Sequence, residues 1–452
     1  MSTGSTTTSL GAARFSRNVI WTLGARLLIA IGSVASGVII ARWLGAEAVG
    51  VLASLTVVTM LNLTVGTFGV PSAATFLVAR DRSRAKTVVF HAVVFAIVSG
   101  AVLVSVILLL IFTAPGLVGD IPLILVMITA CGIPFQMLTI FSLAAYLGLG
   151  NIGRYNLLDL LSQASLVINP LVAVALLGFG LLTLVTMNAV TAFVLSIAVL
   201  IILFRAASRE QAETGLGFQR SIMAEMLGYG SRFYVSMLAA VVILRADLLI
   251  VNFFRGAAEA GVYAVSAQVG TLLLLVPNVI STVLFPRVTE AQDTSGEMTC
   301  RVTRHSAMIM FAACLAAVPL VFLLPFLYGE AFAAVPYQVL ILLPGIYLLG
   351  IETVQVQYFS GLGLPRAIPM YWVVTMVINL ALNLLLVPSY GAFAAAGVSS
   401  FSYVLMFVLI ARLFRKRTGR TVGESFLLRG NEFRELSDIG KLMRFKTAGE
   451  NG

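Results

Sequence analysis

From Val19 to Leu413 the chain is a succession of apolar runs of 18 or more residues, separated by short polar joints. The hydrocarbon core of a bilayer is about 30 Å thick and takes about 20 helical residues to cross. Lipid offers no hydrogen bonds, so such runs satisfy their backbones internally as helices. They are continuous rather than alternating, which excludes a membrane β-barrel. Composition agrees: of the 452 residues, 60% are hydrophobic and 11% charged, where soluble domains carry about 25% charged residues. The fold class is an all-α polytopic membrane protein.

About twelve spans fit the hydropathy: 19–41, 49–79, 87–113, 121–148, 157–177 and 181–204, then 229–254, 260–286, 306–328, 336–361, 367–388 and 392–414. Pro71 and Pro277 fall inside the second and eighth, where each removes a backbone hydrogen bond and predicts a kink. Basic joints alternate with nearly uncharged ones. Arg80, Arg82, Arg84 and Lys86 mark one basic joint; Arg205, Arg209 and Arg220, then Arg287, Arg301 and Arg304, mark others. With the tail from Arg412 to Arg420 they predict both termini on the cytoplasmic side. A polar tail without structure of its own is expected over 1–18, an inter-lobe linker over 205–228, and a basic tail over 415–452, either an amphipathic surface helix or disordered. The net charge of +10 is thereby explained without a nucleic-acid partner.

The chain also repeats itself. Gly45-Ala46-Glu47-Ala48-Val49-Gly50-Val51-Leu52-Ala53 is echoed by Gly256-Ala257-Ala258-Glu259-Ala260-Gly261-Val262-Tyr263-Ala264, at an offset of 211. Gly148-Leu149-Gly150 with Val167-Ile168-Asn169 is echoed by Gly361-Leu362-Gly363 with Val377-Ile378-Asn379 at nearly the same offset. The expected architecture is two parallel six-helix repeats forming two lobes, 19–204 and 229–414. Such repeats are related by an axis along the membrane normal, a transporter arrangement with the cargo path between halves.

Enzyme and metal chemistry find little to work with. Cys131, Cys300 and Cys314 are scattered and the two histidines, His91 and His305, are far apart, so no metal-ligand spacing arises. There is no GxxxxGK[ST] and no HExxH, and the outer joints leave little room for a catalytic domain. No catalytic residue and no cofactor is expected.

The informative residues are charges within spans, since each costs roughly 2.5–3.5 kcal/mol at mid-helix and so faces a cavity or a partner. Arg26, Arg232 and Arg245 are the candidate anion binders, with Arg26 and Arg232 also placed to snorkel to the inner surface. Asp247, Glu352 and Asp159 are candidates for coupling or gating, with H+ or Na+ as the coupling ion. On one helix Arg245 points about 160° away from Asp247, so it needs a partner on another helix or an anionic ligand. Glu47 and Glu259 read as turn and helix-start residues, and Asn169, Asn379 and Asn383 as interhelical hydrogen-bonders.

Asn18, Trp21 and Gly24 lead to Ala41-Arg42-Trp43-Leu44-Gly45 and Gly50. Asp247, Gly256, Gly261, Tyr263 and Pro277 follow, then Asn379, Asn383, Leu386, Pro388, Tyr390-Gly391 and Gly397. In this order they resemble the bacterial polysaccharide-biosynthesis exporters, the O-antigen flippase family of the multidrug/oligosaccharidyl-lipid/polysaccharide exporter superfamily. The resemblance implies two lobes around a cationic cavity that opens alternately to either side of the bacterial cytoplasmic membrane. It also implies a lipid-linked glycan as cargo, its pyrophosphate met by Arg26, Arg232 and Arg245, and glycosyltransferases or a polymerase of the same pathway as partners. A cation- or proton-coupled drug or metabolite antiporter of the same superfamily is the alternative; a carboxylate-lined cavity would mark it.

Overall fold

The computed structural model describes all residues except 1–4, 115, 117–118, 120, 208–217, 292, 294, 363–364, 422 and 425–452. Its helices are α1 (Ser5–Thr67), α2 (Val70–Arg80), α3 (Ala85–Thr113), α4 (Leu123–Gly148), α5 (Ile152–Pro170), α6 (Leu181–Ala207), α7 (Arg220–Arg255), α8 (Ala257–Leu273), α9 (Leu275–Ala291), α10 (Glu297–Val321), α11 (Leu324–Tyr328), α12 (Val335–Gly361) and α13 (Ala367–Thr418). Among the described residues ten helical stretches are long and apolar enough to cross a membrane. At 1.5 Å per residue the 52 residues of α13 would extend roughly 78 Å if straight, more than twice a bilayer core. The helix turns back instead at Gly391 (φ 61°, ψ −145°), as α1 does at Gly45 (φ 85°, ψ 176°). These angles are open to glycine almost alone.

The repeat seen in the sequence is a repeat of geometry. Gly256, between α7 and α8, has φ 85° and ψ 168°, nearly the angles of Gly45. Gly50 and Gly261 then meet face to face. A methyl on Gly50 would fall 1.7 Å from the Ala257 carbonyl oxygen, and one on Gly261 would fall 2.1 Å from that of Ala46. Ala46 stands to Gly50 as Ala257 stands to Gly261, so the contact is reciprocal, as an approximate two-fold axis requires. Close approach of helix backbones at small residues is how apolar helices gain contact where lipid competes for every other surface.

Two large buried clusters follow. One joins α2, α3, α4 and α6 around Leu77, Ile133, Met137 and Phe141. The other joins α7, α8, α10, α12 and α13 around Ile243, Tyr263, Met310 and Phe332. Both prolines act as expected: α1 breaks at Phe68–Gly69 and resumes with Pro71 in the first turn of α2, and α8 gives way at Leu274 to α9, with Pro277 in its first turn.

Two expectations need correction. The unstructured tail expected over 1–18 is helical from Ser5, because extending a helix already nucleated by a span costs far less than starting one. The joint between the halves is also shorter than 205–228: α6 runs to Ala207 and α7 begins at Arg220. Most of the basic tail over 415–452 lies outside the described residues.

Candidate functional site

Asp247 lies near the middle of α7's apolar stretch and is 2% exposed. Its carboxylate is held by groups from three places in the chain. The Tyr263 hydroxyl of α8 donates to Oδ2 at 2.5 Å, the Ser399 hydroxyl of α13 donates to the same oxygen at 2.7 Å, and the Leu248 N–H donates to Oδ1 at 2.8 Å. Such hydrogen bonding compensates part of the cost of burying a charge. No basic side chain forms an ion pair with Asp247 among the described residues. Around it the packing is unusually polar for a membrane interior. Ser266 donates to Gln338 at 2.7 Å, Asn379 to Ser402 at 2.9 Å, and the amide of Asn383 to that of Asn379 at 3.1 Å. The Asn383 Oδ1 is buried and meets no donor among the described residues.

Arg245 lies two residues earlier on α7. It is half-buried, and its Nη2 donates to the Thr271 hydroxyl of α8 at 3.2 Å. Arg245 and Asp247 thus hydrogen-bond different residues of α8, Thr271 and Tyr263. Arg26 and Arg232 sit on α1 and α7 as expected, with side chains outside the described set.

Glu352 is a second buried carboxyl, on α12 and 2% exposed. Its Oε1, and the Oε1 of Gln355 one turn on, meet no hydrogen-bond partner among the described residues. No hydrogen bond among the described residues joins Glu352 to the Asp247 cluster. Asp159 is half-buried on α5 and engaged with a neighbour. Glu259 does more than shape a turn. It pairs with Arg255 at 3.0 Å and accepts the Ala392 N–H at 2.7 Å, which caps the helix that resumes after Gly391. A cavity of about 460 Å³ lies along α13, lined by apolar residues including Leu382, Tyr390 and Phe401, and touches none of the candidate charges.

Sequence reasoning missed Tyr263 and Ser399 as partners of Asp247. They lie 16 and 152 residues away, and only packing of α7 between α8 and α13 brings them in.

Comparison with known proteins bears on what this arrangement belongs to. The family model described as Polysaccharide biosynthesis protein matches residues 15–292. Over 178 residues the chain is 28% identical to the "Probable flippase AglR" of Haloferax volcanii, a match covering 38% of this chain and 37% of that protein. Solved structures share the fold. A multidrug resistance MATE family transporter of the MOP superfamily, inward-facing, superposes with a TM-score of 0.71 at 15% identity, over 89% of this chain and 98% of that one. The lipid II flippase MurJ, in an inward closed conformation, gives 0.69 at 13% identity, over 88% and 90%. A MOP superfamily transporter from Pyrococcus furiosus gives 0.59 at 14% identity, over 89% and 95%. With a family match over more than half its length and this two-lobed helical fold, the chain is a multi-pass membrane protein of the polysaccharide biosynthesis protein family.

Proposed function

We propose that the chain is a flippase that moves a lipid-linked oligosaccharide, a polyprenyl-(pyro)phosphate glycan, across the bacterial cytoplasmic membrane by alternating access of its two lobes, 19–204 and 229–414. In this reading α1 and α13 each cross twice, which makes twelve crossings, and the basic joints place both termini in the cytoplasm. The observation that carries the proposal is Arg245. At the depth of a buried carboxylate, α7 holds a guanidinium whose one described hydrogen bond goes to the neutral hydroxyl of Thr271. A cation kept at that depth without an ion-pair partner among the described residues suits an anion that arrives and leaves, and the forked guanidinium matches a phosphate. Arg26 on α1 and Arg232 on α7 are the further candidate anion binders of this reading. The family, and the flippases among the similar proteins, support this reading.

Asp247 takes the coupling role. A buried carboxylate among the hydroxyls of Tyr263 and Ser399 offers oxygens to a proton or a Na+ ion. Glu352 and Asp159 remain the secondary coupling or gating positions. An organic-cation antiporter would need carboxylates exposed to its cargo, whereas Asp247 and Glu352 are both packed inside a lobe.

The test is deletion of the gene followed by assay of lipid-linked sugars in each leaflet, with complementation by the intact protein and by Arg245→Ala. The expected result is a complete lipid-linked glycan stranded on the cytoplasmic side, restored by the intact protein and not by the variant. Normal glycan distribution in the deletion strain overturns the cargo; full rescue by Arg245→Ala overturns the arginine's role.

A further inference from the structure

The arm of α1 that leads up to Gly45 is bonded on two sides. Toward its own half, the Ser36 hydroxyl donates to the Leu166 carbonyl of α5 at 2.9 Å. Ile39, Ile40 and Leu44 pack on the buried cluster of Ala173, Val174 and Leu184. Toward the other half, the same arm meets α8 and the short helix α11. The Gln268 amide of α8 donates to the Ser33 hydroxyl at 3.1 Å. Tyr328, the last residue of α11, is 2% exposed, and its hydroxyl donates to the Val34 carbonyl at 3.4 Å. Gly37 makes room for that ring, since a methyl there would fall 3.0 Å from the Tyr328 hydroxyl oxygen. Arg42 then closes over the end of α11. Its Nε donates to the Leu327 carbonyl at 2.8 Å, and its Nη2 donates to the Phe326 carbonyl. Carbonyls in the last turn of a helix have no donor of their own, and here one forked guanidinium serves two of them.

We propose that α11 is a strap across the outer end of the path between the halves, held shut by Arg42 and Tyr328 and released when the path opens outward. The turn at Gly45 and α11 both lie at the end opposite the basic joints. Its bonds to α5 carry α1 with the first half, while α11 is continuous with α10 and α12 of the second, so an outward opening parts the two. The clasp suits repeated release. Arg42 is exposed and Phe326 is 77% exposed, so guanidinium and carbonyls exchange one another for water, and the net cost of such an exchange is small. Gly50 and Gly261 close the same end by backbone packing alone, which leaves the α11 clasp as the directional part of the closure. The counterpart joint, between α3 and α4, also leans on the other half: a methyl on Gly119 would fall 3.3 Å from the Asn252 amide nitrogen of α7. At the repeat offset, however, Arg42 corresponds to Phe253, so the clasp belongs to one side. This rests on the reading of the halves as moving bodies, and names the part that seals the cargo path from outside.

The experiment uses the full chain in right-side-out membrane vesicles, with Cys131, Cys300 and Cys314 replaced by alanine. Ser33 precedes Gly45 by roughly 18 Å along the helix, so Ser33→Cys reports on the path behind the strap. Ala130→Cys, at a position buried within the first half, reports on general loosening. The rate of labelling by a membrane-impermeant maleimide added from outside is measured for each. Ser33→Cys is expected to label slowly with the clasp intact, and severalfold faster when combined with Arg42→Ala or with Tyr328→Ala. Ala130→Cys stays slow in every background. An unchanged Ser33→Cys rate in either alanine variant, or a parallel rise at Ala130→Cys, overturns the strap. No cargo enters the measurement, so an overturned strap leaves the flippase reading intact, and failure of that reading leaves the labelling contrast in place.

Discussion

The two halves share a scaffold and differ in what they bury. At the offset of 211, Asp247 corresponds to Ser36, Glu352 to Phe141, Ser266 to Leu55 and Gln338 to Met127. Where the first half has a serine and three apolar side chains, the second buries two carboxyls and a hydroxyl–amide pair. The shared features are those that set the path of the chain. Gly45 and Gly256 turn through nearly the same angles, and Asn169 bonds Asn188 and Thr191 as Asn379 bonds Ser402. Symmetry therefore describes the fold and its breaking locates the chemistry. Ionisable groups deep in a membrane are costly, so a half that keeps them where its twin does without has a use for them.

The sharpest test of that contrast is exchange at the corresponding positions. Asp247→Asn keeps shape and removes charge, and transport of the glycan falls by at least about tenfold, an effect worth about 1.4 kcal/mol, while the protein remains in the membrane at normal abundance. Transport at the intact rate would remove Asp247 from coupling. The mirror change, Ser36→Asp, puts a carboxylate where the Ser36 hydroxyl now donates to the Leu166 carbonyl at 2.9 Å. An acceptor facing an acceptor at span depth gains nothing, so this variant loses stability by about 2.5–3.5 kcal/mol, read as a lowered melting temperature in detergent.

The symmetric contact predicts equal effects instead. Gly50→Ala and Gly261→Ala each drive a methyl into a carbonyl oxygen of the other half. Neither backbone can yield as a flexible side chain would, so each variant loses about 1–3 kcal/mol by overpacking. Gly397→Ala is the control, since a methyl there meets nothing within 4 Å. A harmless change at one member of the pair and a severe one at the other would break the two-fold relation.

What the sequence made legible was whatever depends on local pattern. Continuous apolar runs located the helices, although α7 and α10 each begin nine residues before the expected spans at 229 and 306, and paired glycines located the repeat because a backbone at φ 85° has few other residues to choose from. That one helix carries both Arg245 and Asp247 was legible too. What each charge meets was not. Asp247 is bonded by a serine 152 positions away, and no spacing rule reaches across that distance. The π-helical turn at Leu171–Leu176 after Pro170 also left no signal, because an apolar run looks the same with either winding. Nor did the sequence announce the tie of His91, which read as one isolated histidine near a helix end, to the N–H of Gln219.

The joints after the second and eighth spans extend the comparison to the surface. Asp81 accepts the Ser83 N–H and hydroxyl, and Asp293 accepts the Thr299 N–H and hydroxyl at 3.0 Å each. Both sit at the entrance to the following helix, but Asp293 is buried and Asp81 half-exposed. Asp293→Ala leaves buried donors without an acceptor and costs about 1–2 kcal/mol in unfolding stability; Asp81→Ala costs less. The Ser83 hydroxyl, aided by its N–H and by Arg84, holds the Asp81 carboxyl below the ordinary aspartate value of 3.8. A lowered acid stabilises the fold above its unfolded-state value and stops doing so as pH falls through the folded one. The Asp81 contribution is thus complete at neutral pH and disappears only below that value. Loss of the difference between wild type and Asp81→Ala already at pH 6 would contradict this.

The smallest expected effect separates packing from transport. Asn169→Ala and Asn379→Ala each delete a buried interhelical amide, a change worth about 0.6 kcal/mol within a membrane. The two should cost the same in unfolding, because each removes the same kind of bond at corresponding places in the two halves. Their effects on transport should differ. The Asn379 amide bonds Ser402, one turn from the Ser399 that holds Asp247, whereas the Asn169 cluster holds only neutral groups. Reduced glycan transport in Asn379→Ala alone, at equal stability, would place coupling in the second half; equal losses would return both amides to a purely structural role.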